Sequence, residues 1–315
     1  MKYITQSMTF EIQEPTILTL GKFDGLHRGH ELLFQCMAKK KQEQRGLKAV
    51  IFTFDIPPKE RVQNIRMQAL TTSSEKKRLF QEMGIDYVIE CPFTPEVMHM
   101  EPEEFIQKIS KNLHVKYMVV GTDFRFGHQR RGDYHMLEEY ASQYGYEVTV
   151  VEKIQEKGRD ISSTFVREEI MAGNVERANE LLGYPFFVEG EVLHGKKMGK
   201  AILGIPTINL LPDSGKLLPP LGVYISEMEW RGYRYPGISN VGCKPTIHGD
   251  NPVGVETHIF DFSEDIYGEQ VQVSFLKHVR PEQKFDSLEA LKVQMEKDIQ
   301  YAKVYFNTRK GVQKN

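Results

Sequence analysis

Hydrophobic and polar positions follow two different periods over the first 183 residues of the chain. Short apolar runs rich in Val, Ile, Tyr and Thr predict strands, and the segments between them carry apolar residues at helical spacing. The predicted strands are residues 16–20, 49–54, 87–89, 117–120 and 147–151, and the predicted helices are 31–44, 74–83, 102–113 and 134–144. This order predicts a Rossmann-like α/β domain, with a parallel sheet, helices on both faces and ligands at the carboxyl ends of the strands.

The pattern changes after Gly183. Polar and apolar residues now alternate at period two, with Gly and Pro turns between the runs, and this is typical of an antiparallel β-barrel. The alternating segments are residues 188–192, 222–228, 255–262 and 271–275. A C-terminal helix follows, for which Asp286 and Glu289 predict a capping box. We expect domains at 1–183 and 184–306, with 307–315 as a frayed tail.

Composition excludes several classes of protein. The net charge of -2 does not favour a general affinity for nucleic acid or an anionic membrane. Cys36, Cys91 and Cys243 are widely spaced and lack C-x-x-C pairing, which argues against a disulfide framework or a zinc site. No signal core or membrane-length apolar run is present in the sequence. We expect a cytoplasmic protein without nucleic-acid or membrane partners, and its oligomeric state stays open.

The first candidate site has the sequence G-K-F-D-G-L-H-R-G-H, between the first predicted strand and the first predicted helix. It places His27 and His30 on the first helical turn, where backbone N–H groups and the helix dipole favour a negative charge. Gly21, Gly25 and Gly29 let the backbone approach an anion closely. The segment therefore predicts a nucleotide-phosphate site. The alternative is that both imidazoles only cap the helix or pair locally.

A second candidate segment follows the strand at 117–120. Asp123, Phe124 and Arg125 leave the sheet together there. An aromatic face can stack on a planar ring, and a guanidinium can bind phosphate in a bidentate manner, through two parallel hydrogen bonds. The segment therefore predicts a flavin or nucleotide contact, with a buried strand-end loop as the alternative.

Hydroxyl side chains mark the start of another predicted helix, which runs to about residue 182. Ser163 and Thr164, with Arg167 one turn later, form a second candidate anion site, suited to the charge on a leaving pyrophosphate. The hydroxyls could instead serve as N-caps.

These motifs together resemble the FMN adenylyltransferase module of the prokaryotic bifunctional riboflavin kinase/FAD synthetases. The resemblance runs from about residue 16 to residue 183. It implies that ATP phosphates bind at the first and third segments, and that Asp123 and its neighbours place nucleotide and flavin. The residues implied in phosphate binding are Gly21, Phe23, Asp24, His27, Gly29, His30, Ser163, Thr164 and Arg167.

The implied reaction is an in-line attack of the FMN phosphate on the α-phosphorus of ATP, with Mg²⁺ and without a covalent enzyme intermediate. One feature departs from the family. Many members carry Pro-His-Pro after the second strand, whereas residues 53–58 read T-F-D-I-P-P. A phosphate or nucleotide contact is therefore missing or replaced there.

The first candidate segment of the second domain is a Gly-rich basic turn at residues 195–204. It is not a Walker loop, because the spacer is one residue short and Ala201 follows the lysine. The candidate phosphate contacts in it are Gly195, Gly199 and Lys200. Thr207 and Asn209 follow, and on an extended backbone their oxygens point to the same side, where they can share a hard cation with ATP phosphates. A β-turn with a polar strand is the alternative.

The G-x-P-T-x-N string resembles the riboflavin kinase signature, and this second resemblance extends to about residue 302. It implies that Glu256 is the base that takes the proton from the ribityl 5′-hydroxyl while that oxygen attacks the γ-phosphate of ATP. It also implies a phosphate or flavin contact for Arg280. A carboxylate on the wet face of a barrel strand is the alternative for Glu256.

The sequence therefore predicts a two-module enzyme that phosphorylates riboflavin to FMN and adenylylates FMN to FAD, using ATP and Mg²⁺. Its expected partners are the small molecules riboflavin, FMN and ATP. One alternative is a riboflavin kinase whose adenylyltransferase domain is weak or inactive. Another is a non-enzymatic flavin sensor that binds a regulatory partner or RNA.

Overall fold

The computed structural model of the protein describes residues 1–5, 8–55, 68–194, 206–243 and 252–312. The chain forms two compact units, Met1–Ser163 and Thr164–Asn315, and each has its own sheet. The helices between residues 163 and 182, which the sequence analysis groups with the first domain, fall almost wholly in the second unit. A functional boundary after residue 183 stays a prediction.

The first unit is built on a six-stranded sheet in the order β1-β4-β3-β2-β5-β8, in which every pairing is parallel. The strands are β1 Lys2–Ile4, β2 Thr16–Leu20, β3 Lys48–Phe54, β4 Tyr87–Cys91, β5 Val115–Gly121, β6 Arg125–Phe126, β7 Gly132–Asp133, β8 Glu147–Val151, β9 Gln155–Glu156 and β10 Arg159–Asp160. The helices are α1 Arg28–Glu43, α2 Ser73–Glu82, α3 Pro95–Met98, α4 Pro102–Asn112 and α5 Tyr134–Tyr144. The predicted parallel α/β architecture is confirmed.

Strand β2 lies at the point where the strand order of this sheet reverses. The chain passes from β2 to β3 and β4 on one side, and later returns to β5 and β8 on the other side. In open parallel sheets ligands bind in the crevice at such a switch point, beyond the carboxyl ends of the strands. The loop that carries His27 leaves β2 at this point, and the loop that carries Asp123 leaves β5 beside it.

The sheet is rigidly supported by a hydrophobic core. Leu18, Val50 and Met118 on three adjacent strands are fully buried and belong to one cluster with Ile106 and Ile109 of α4. Burying each such side chain contributes on the order of 1.5–3 kcal/mol. The core therefore fixes the strand ends from which the functional loops start.

The second unit contains a six-stranded antiparallel sheet in the order β11-β16-β13-β14-β15-β12. The strands are β11 Phe187–Glu191, β12 Ile208–Leu210, β13 Gly222–Trp230, β14 Tyr233–Cys243, β15 Val253–Ile259 and β16 Gln270–Pro281, and the helices are α6 Ser163–Met171, α7 Val175–Leu182 and α8 Leu288–Val312. A bridge between Leu193 and Asn209, with an N–H to carbonyl distance of 2.8 Å, joins the two edges. This nearly closed barrel confirms the predicted one.

Details at the end of the chain differ from the sequence expectation. The cap of α8 is Ser287, whose Oγ accepts a hydrogen bond from the Ala290 amide at 3.1 Å, and the predicted cap at Asp286 is wrong by one residue. The helix also continues to Val312, into the segment expected to fray. Within the described ranges no helix is both long enough and apolar enough to cross a membrane.

Candidate active sites

The loop after β2 turns sharply because several of its residues adopt left-handed backbone angles. The φ values are 49° at Phe23, 81° at Gly25 and 35° at Leu26. Phe23 is 1% exposed, and its ring lies 5.4 Å from that of Phe34. A Cβ at Gly21 would lie 2.9 Å from the Phe23 ring, so the turn requires glycine there. Phe23 thus shapes the loop from inside the core.

Asp24 and Ser163 bind the protein's own backbone. One carboxylate oxygen of Asp24 accepts hydrogen bonds from the amides of Leu70 at 2.8 Å and Thr71 at 3.1 Å. The Ser163 hydroxyl donates to the Asp24 carbonyl at 2.7 Å, and the Gly25 amide donates to the Thr71 hydroxyl at 3.1 Å. These contacts fix the loop, so both side chains act in positioning it.

His27 and His30 form a stacked pair at the start of α1. Their ring centroids are 3.8 Å apart with an angle of 22° between the planes. The Nδ1 atoms of both rings are buried and have no hydrogen-bond partner within the described part of the chain. A buried polar atom left unpaired costs about 1–3 kcal/mol. The pair is therefore suited to a ligand with oxygen atoms, such as a phosphate.

The two imidazoles are neutral at pH 7. Burial lowers the pKa of His27 to about 4, against an opposing effect of the Asp24 and Asp123 carboxylates. Burial, with the neighbouring His27 as a smaller cause, lowers the pKa of His30 well below its usual value. Neutral rings can donate and accept hydrogen bonds, and an entering polyphosphate would favour their protonation.

Asp123 lies at the edge of an open groove after β5. Its carboxylate is 3.1 Å from the Lys153 ammonium group, which also contacts Asp160 at 2.9 Å. Thr122, Glu152 and Gln155 line the same groove. The side chain of Asp123 is 65% exposed, so a ligand in the groove can reach it.

Partly buried aromatic rings lie at or after the carboxyl ends of β3, β4 and β5. Phe124 follows β5 and stacks on Phe126 at 5.4 Å, and Phe54 at the end of β3 contacts Phe93, after β4, at 4.8 Å. Phe54 and Phe93 were not predicted as site residues. Their signal in the sequence is an aromatic residue directly at or after a strand end, at the edge where parallel strands present ligands.

The other residues predicted from residues 1–183 to contact phosphate, nucleotide or flavin lie on different elements. Arg125 is exposed, donates to the Phe124 carbonyl at 2.9 Å and lies 3.9 Å from the Asp133 carboxylate. Thr164 and Arg167 lie on α6, in the second unit.

The second cluster combines oxygen-bearing side chains from β15 and from the segment that enters β12. The Thr207 hydroxyl donates to a carboxylate oxygen of Glu256 at 2.5 Å. Asn209 pairs directly with Glu256 in the β12–β15 register, and Asn240 pairs with Glu256 from the other side, on β14. Directly paired residues share a face of the sheet. These residues form one cross-strand row.

The donor set of this row fits a hard cation. Mg²⁺ prefers hydroxyl, carboxylate and amide oxygens, and Thr207, Asn209 and Glu256 supply one of each. Asn240 was not assigned a role from the sequence. Its position opposite Glu256 depends on the register between β14 and β15. The sequence can therefore indicate this residue only if β14 is predicted as a strand.

Arg280 is bound into the C-terminal helix. Its Nε and Nη2 atoms donate to one Asp298 oxygen at 2.9 and 2.8 Å, and Gln294 donates to the other oxygen at 2.8 Å. Asp298 is 5% exposed. In this arrangement the guanidinium ties β16 to α8, and any contact with phosphate or flavin stays a prediction.

The predicted phosphate contacts Gly195, Gly199 and Lys200 lie outside the described residues. Half of the segment at residues 53–58 that departs from Pro-His-Pro, from residue 56 onward, also lies outside them.

Two known protein families match different parts of the chain. A model described as FAD synthetase matches residues 9–165, and one described as riboflavin kinase matches residues 182–306.

Curated relatives match almost the full length. The bifunctional riboflavin kinase/FMN adenylyltransferase of Listeria monocytogenes is 36% identical over 92% of each chain. The protein of the same description from Escherichia coli K12 is 37% identical over 95% of each chain. Among solved structures, one described as a macrolide-efflux protein from Streptococcus pneumoniae superposes with a TM-score of 0.84 at 30% identity, over 95% of this chain and 97% of that one.

Proposed function

Because the chain belongs to the bifunctional riboflavin kinase/FMN adenylyltransferase family, we propose that it makes FAD from riboflavin in two ATP-dependent steps. The observation that carries this proposal is the presence of two chemically different polar sites, one in each unit. Stacked neutral imidazoles stand at a helix start in the first unit. A row of oxygen donors crosses the barrel strands in the second.

The kinase step is assigned to the second unit. Thr207 and Asn209 would hold Mg²⁺, which when bound neutralises charge on the ATP phosphates. Glu256 takes the proton of the riboflavin 5′-hydroxyl, that oxygen bonds to the γ-phosphorus, and ADP leaves. The Thr207 hydroxyl can donate its proton to Glu256 and still offer an oxygen lone pair to a cation, so their contact at 2.5 Å fits both roles.

The adenylyl step is assigned to the first unit, and phosphate contacts of Thr164 and Arg167 stay a prediction from the sequence. His27 and His30 donate hydrogen bonds to the ATP phosphates, an FMN phosphate oxygen bonds to the α-phosphorus, and pyrophosphate leaves. The aromatic rings of Phe54, Phe93 and Phe124 offer faces for the isoalloxazine ring.

We extend the proposal to the functional boundary and to the compartment. Residues 1–183 would carry adenylyl transfer and residues 184–306 phosphorylation, with Gly195, Gly199 and Lys200 as phosphate contacts. A reducing, ATP-rich cytoplasm fits the free thiols of Cys36, Cys91 and Cys243.

Product analysis tests both steps. Purified full-length protein with riboflavin, ATP and Mg²⁺ should form FMN and then FAD, separated by chromatography. If neither product appears, the proposed function is wrong.

A second candidate is a kinase with an inactive first unit, and the absence of histidine in residues 53–58 favours it. Supplying FMN directly distinguishes the two. FAD formation supports the bifunctional enzyme, whereas its absence, with riboflavin still phosphorylated, supports the kinase alone.

A further inference from the structure

We propose that His258 is a positioning residue of the kinase site, which holds the backbone segment that carries Thr207. This inference rests on the proposed kinase function. It concerns a side chain that contacts neither the phosphates nor the flavin in the scheme above. The argument starts from one hydrogen bond on β15.

His258 lies two residues after Glu256 on β15, and therefore on the same face of the sheet. Its Nδ1 atom is 2.9 Å from the Pro206 carbonyl oxygen. A carbonyl can only accept a hydrogen bond, so this geometry assigns the proton to Nδ1. The imidazole ring also makes an edge contact with Phe260, with ring centroids 5.5 Å apart, which fixes its orientation.

The Pro206 carbonyl belongs to the peptide that leads directly into Thr207. The paired residues of β12 and β15 begin with Ile208 opposite Thr257, so the regular ladder does not include Pro206 or Thr207. Two side-chain contacts join this segment to β15 instead. His258 binds the carbonyl of Pro206, and Glu256 accepts from the hydroxyl of Thr207.

These two contacts have different consequences for a bound cation. The Thr207–Glu256 bond involves the groups proposed to meet Mg²⁺ and the reacting hydroxyl. The His258–Pro206 bond involves neither group and acts only on where the Thr207 backbone lies. Outer partners that orient metal ligands typically change metal affinity or activity 10–100-fold when removed. Loss of the His258 donor should therefore weaken Mg²⁺ binding by about this factor.

The test compares substitutions that keep or remove the donor. His258→Phe keeps a flat ring beside Phe260 but cannot donate, whereas His258→Asn can place an amide N–H near the position of Nδ1. The matched control is His99→Phe. The Nδ1 atom of His99 binds the Pro95 carbonyl at 2.7 Å, which is the same contact with a proline carbonyl, but in the first unit.

Two readouts are needed in the full-length protein. The first is the Mg²⁺ concentration that half-saturates riboflavin phosphorylation, with the KM for riboflavin measured in parallel. The second is Mn²⁺ binding in the presence of ADP, followed by electron paramagnetic resonance without turnover. His258→Phe should raise the half-saturating Mg²⁺ concentration about 10–100-fold and weaken one Mn²⁺ site. The KM for riboflavin and FAD formation from supplied FMN should stay near wild type.

His258→Asn should recover most of the metal affinity, and His99→Phe should behave as wild type. Wild-type metal dependence in His258→Phe would overturn the inference. So would a His258→Asn protein, folded by circular dichroism, that is as impaired as His258→Phe. If the wild type does not phosphorylate riboflavin, the proposed function fails, and the Mn²⁺ titration still decides whether His258 positions the cation site.

Discussion

In the proposed function, the two candidate sites bind the phosphates of ATP through different chemical groups. The first presents nitrogen atoms from two residues only three positions apart, held neutral by burial. The second presents oxygen atoms from Thr207 and Asn209, with Glu256 opposite them and 49 positions beyond Thr207 in the chain. Nitrogen donors can bind phosphate oxygens directly, whereas oxygen acceptors need a cation between them and the phosphate. In the proposed function, the imidazoles of the first unit therefore bind phosphate directly, and Thr207 and Asn209 of the second unit bind it through a cation.

Glu256→Gln should affect only the second unit. Removing the base should lower kcat for riboflavin phosphorylation by about 10²–10⁴ and leave FAD formation from supplied FMN unchanged. Initial rates of both reactions measure this. Glu229→Gln is the control, because Glu229 lies on β13 and pairs with Arg234 at 3.2 Å. Equal loss in both variants, or unaltered turnover in Glu256→Gln, would show that Glu256 is not the base.

The reciprocal change is His27→Asn in the first unit. The smaller side chain removes one of the stacked rings, and FAD formation from FMN should fall by about 10²–10³, as for loss of a preorganised donor to phosphate. Riboflavin phosphorylation should not change. His114→Asn provides the matched control, since its imidazole is exposed and binds the Gln13 carbonyl at 2.8 Å. Loss of both activities in His27→Asn would show that the sites are not independent.

Acid should destabilise the first unit through its imidazoles. The unfolded chain protonates His27 near pH 6.5, whereas the folded chain, with a pKa of about 4, does not until lower pH. Folding stability from this group is therefore complete above pH 6.5 and is lost as the pH falls towards 4. Each pH unit between 6.5 and 4 lowers the free energy of unfolding by about 1.4 kcal/mol, so the total loss is about 3 kcal/mol.

Urea unfolding at pH 7 and pH 4.5, followed by circular dichroism, measures this loss. His27→Asn should flatten the pH dependence relative to His114→Asn. The single tryptophan, Trp230 on β13, reports separately on the second unit, where this variant should have no effect. An unchanged pH dependence in His27→Asn would contradict the neutral buried ring.

A milder change is expected from Asn240, which pairs with Glu256 in the cross-strand row. Asn240→Asp places a second carboxylate opposite Glu256, which makes proton loss from the base harder. The acidic limb of the kinase pH–rate profile should move up by about one pH unit, while adenylyl transfer keeps its profile. Asn307→Asp, an exposed position on α8, supplies the control. A profile that does not move would place the Asn240 side chain away from the base.

The first site was largely predictable because its parts are local. A strand, a glycine turn and two histidines three residues apart determine most of the geometry of the His pair. The role of Asp24 was not predictable, since the amides it binds belong to Leu70 and Thr71, 46 and 47 residues further along. A carboxylate inside a phosphate motif does not reveal which backbone groups fold over it.

In the second site, even more of the contacts join residues that are far apart in the sequence, so less of this site could be predicted. Alternation places Glu256 on a face, but its partner Thr207 becomes known only when β12 meets β15. The sequence does not predict strand β14, because Pro236 and Gly237 are typical of turns. For this reason it does not predict the position of Asn240 either. The sequence predicts a ligand contact for Arg280, but it does not show that Asp298 of α8 accepts a hydrogen bond from the guanidinium.

The bridge between Leu193 and Asn209 has a consequence for heat tolerance. A proposed cation ligand sits at the seam of the barrel, on a strand of three residues joined to the opposite edge by an isolated bridge. Such a junction opens at a lower free energy than the long central strands. On warming, the rate of riboflavin phosphorylation should therefore fall at a lower temperature than the one at which the barrel unfolds. The difference between the two temperatures measures how readily the barrel opens at this bridge.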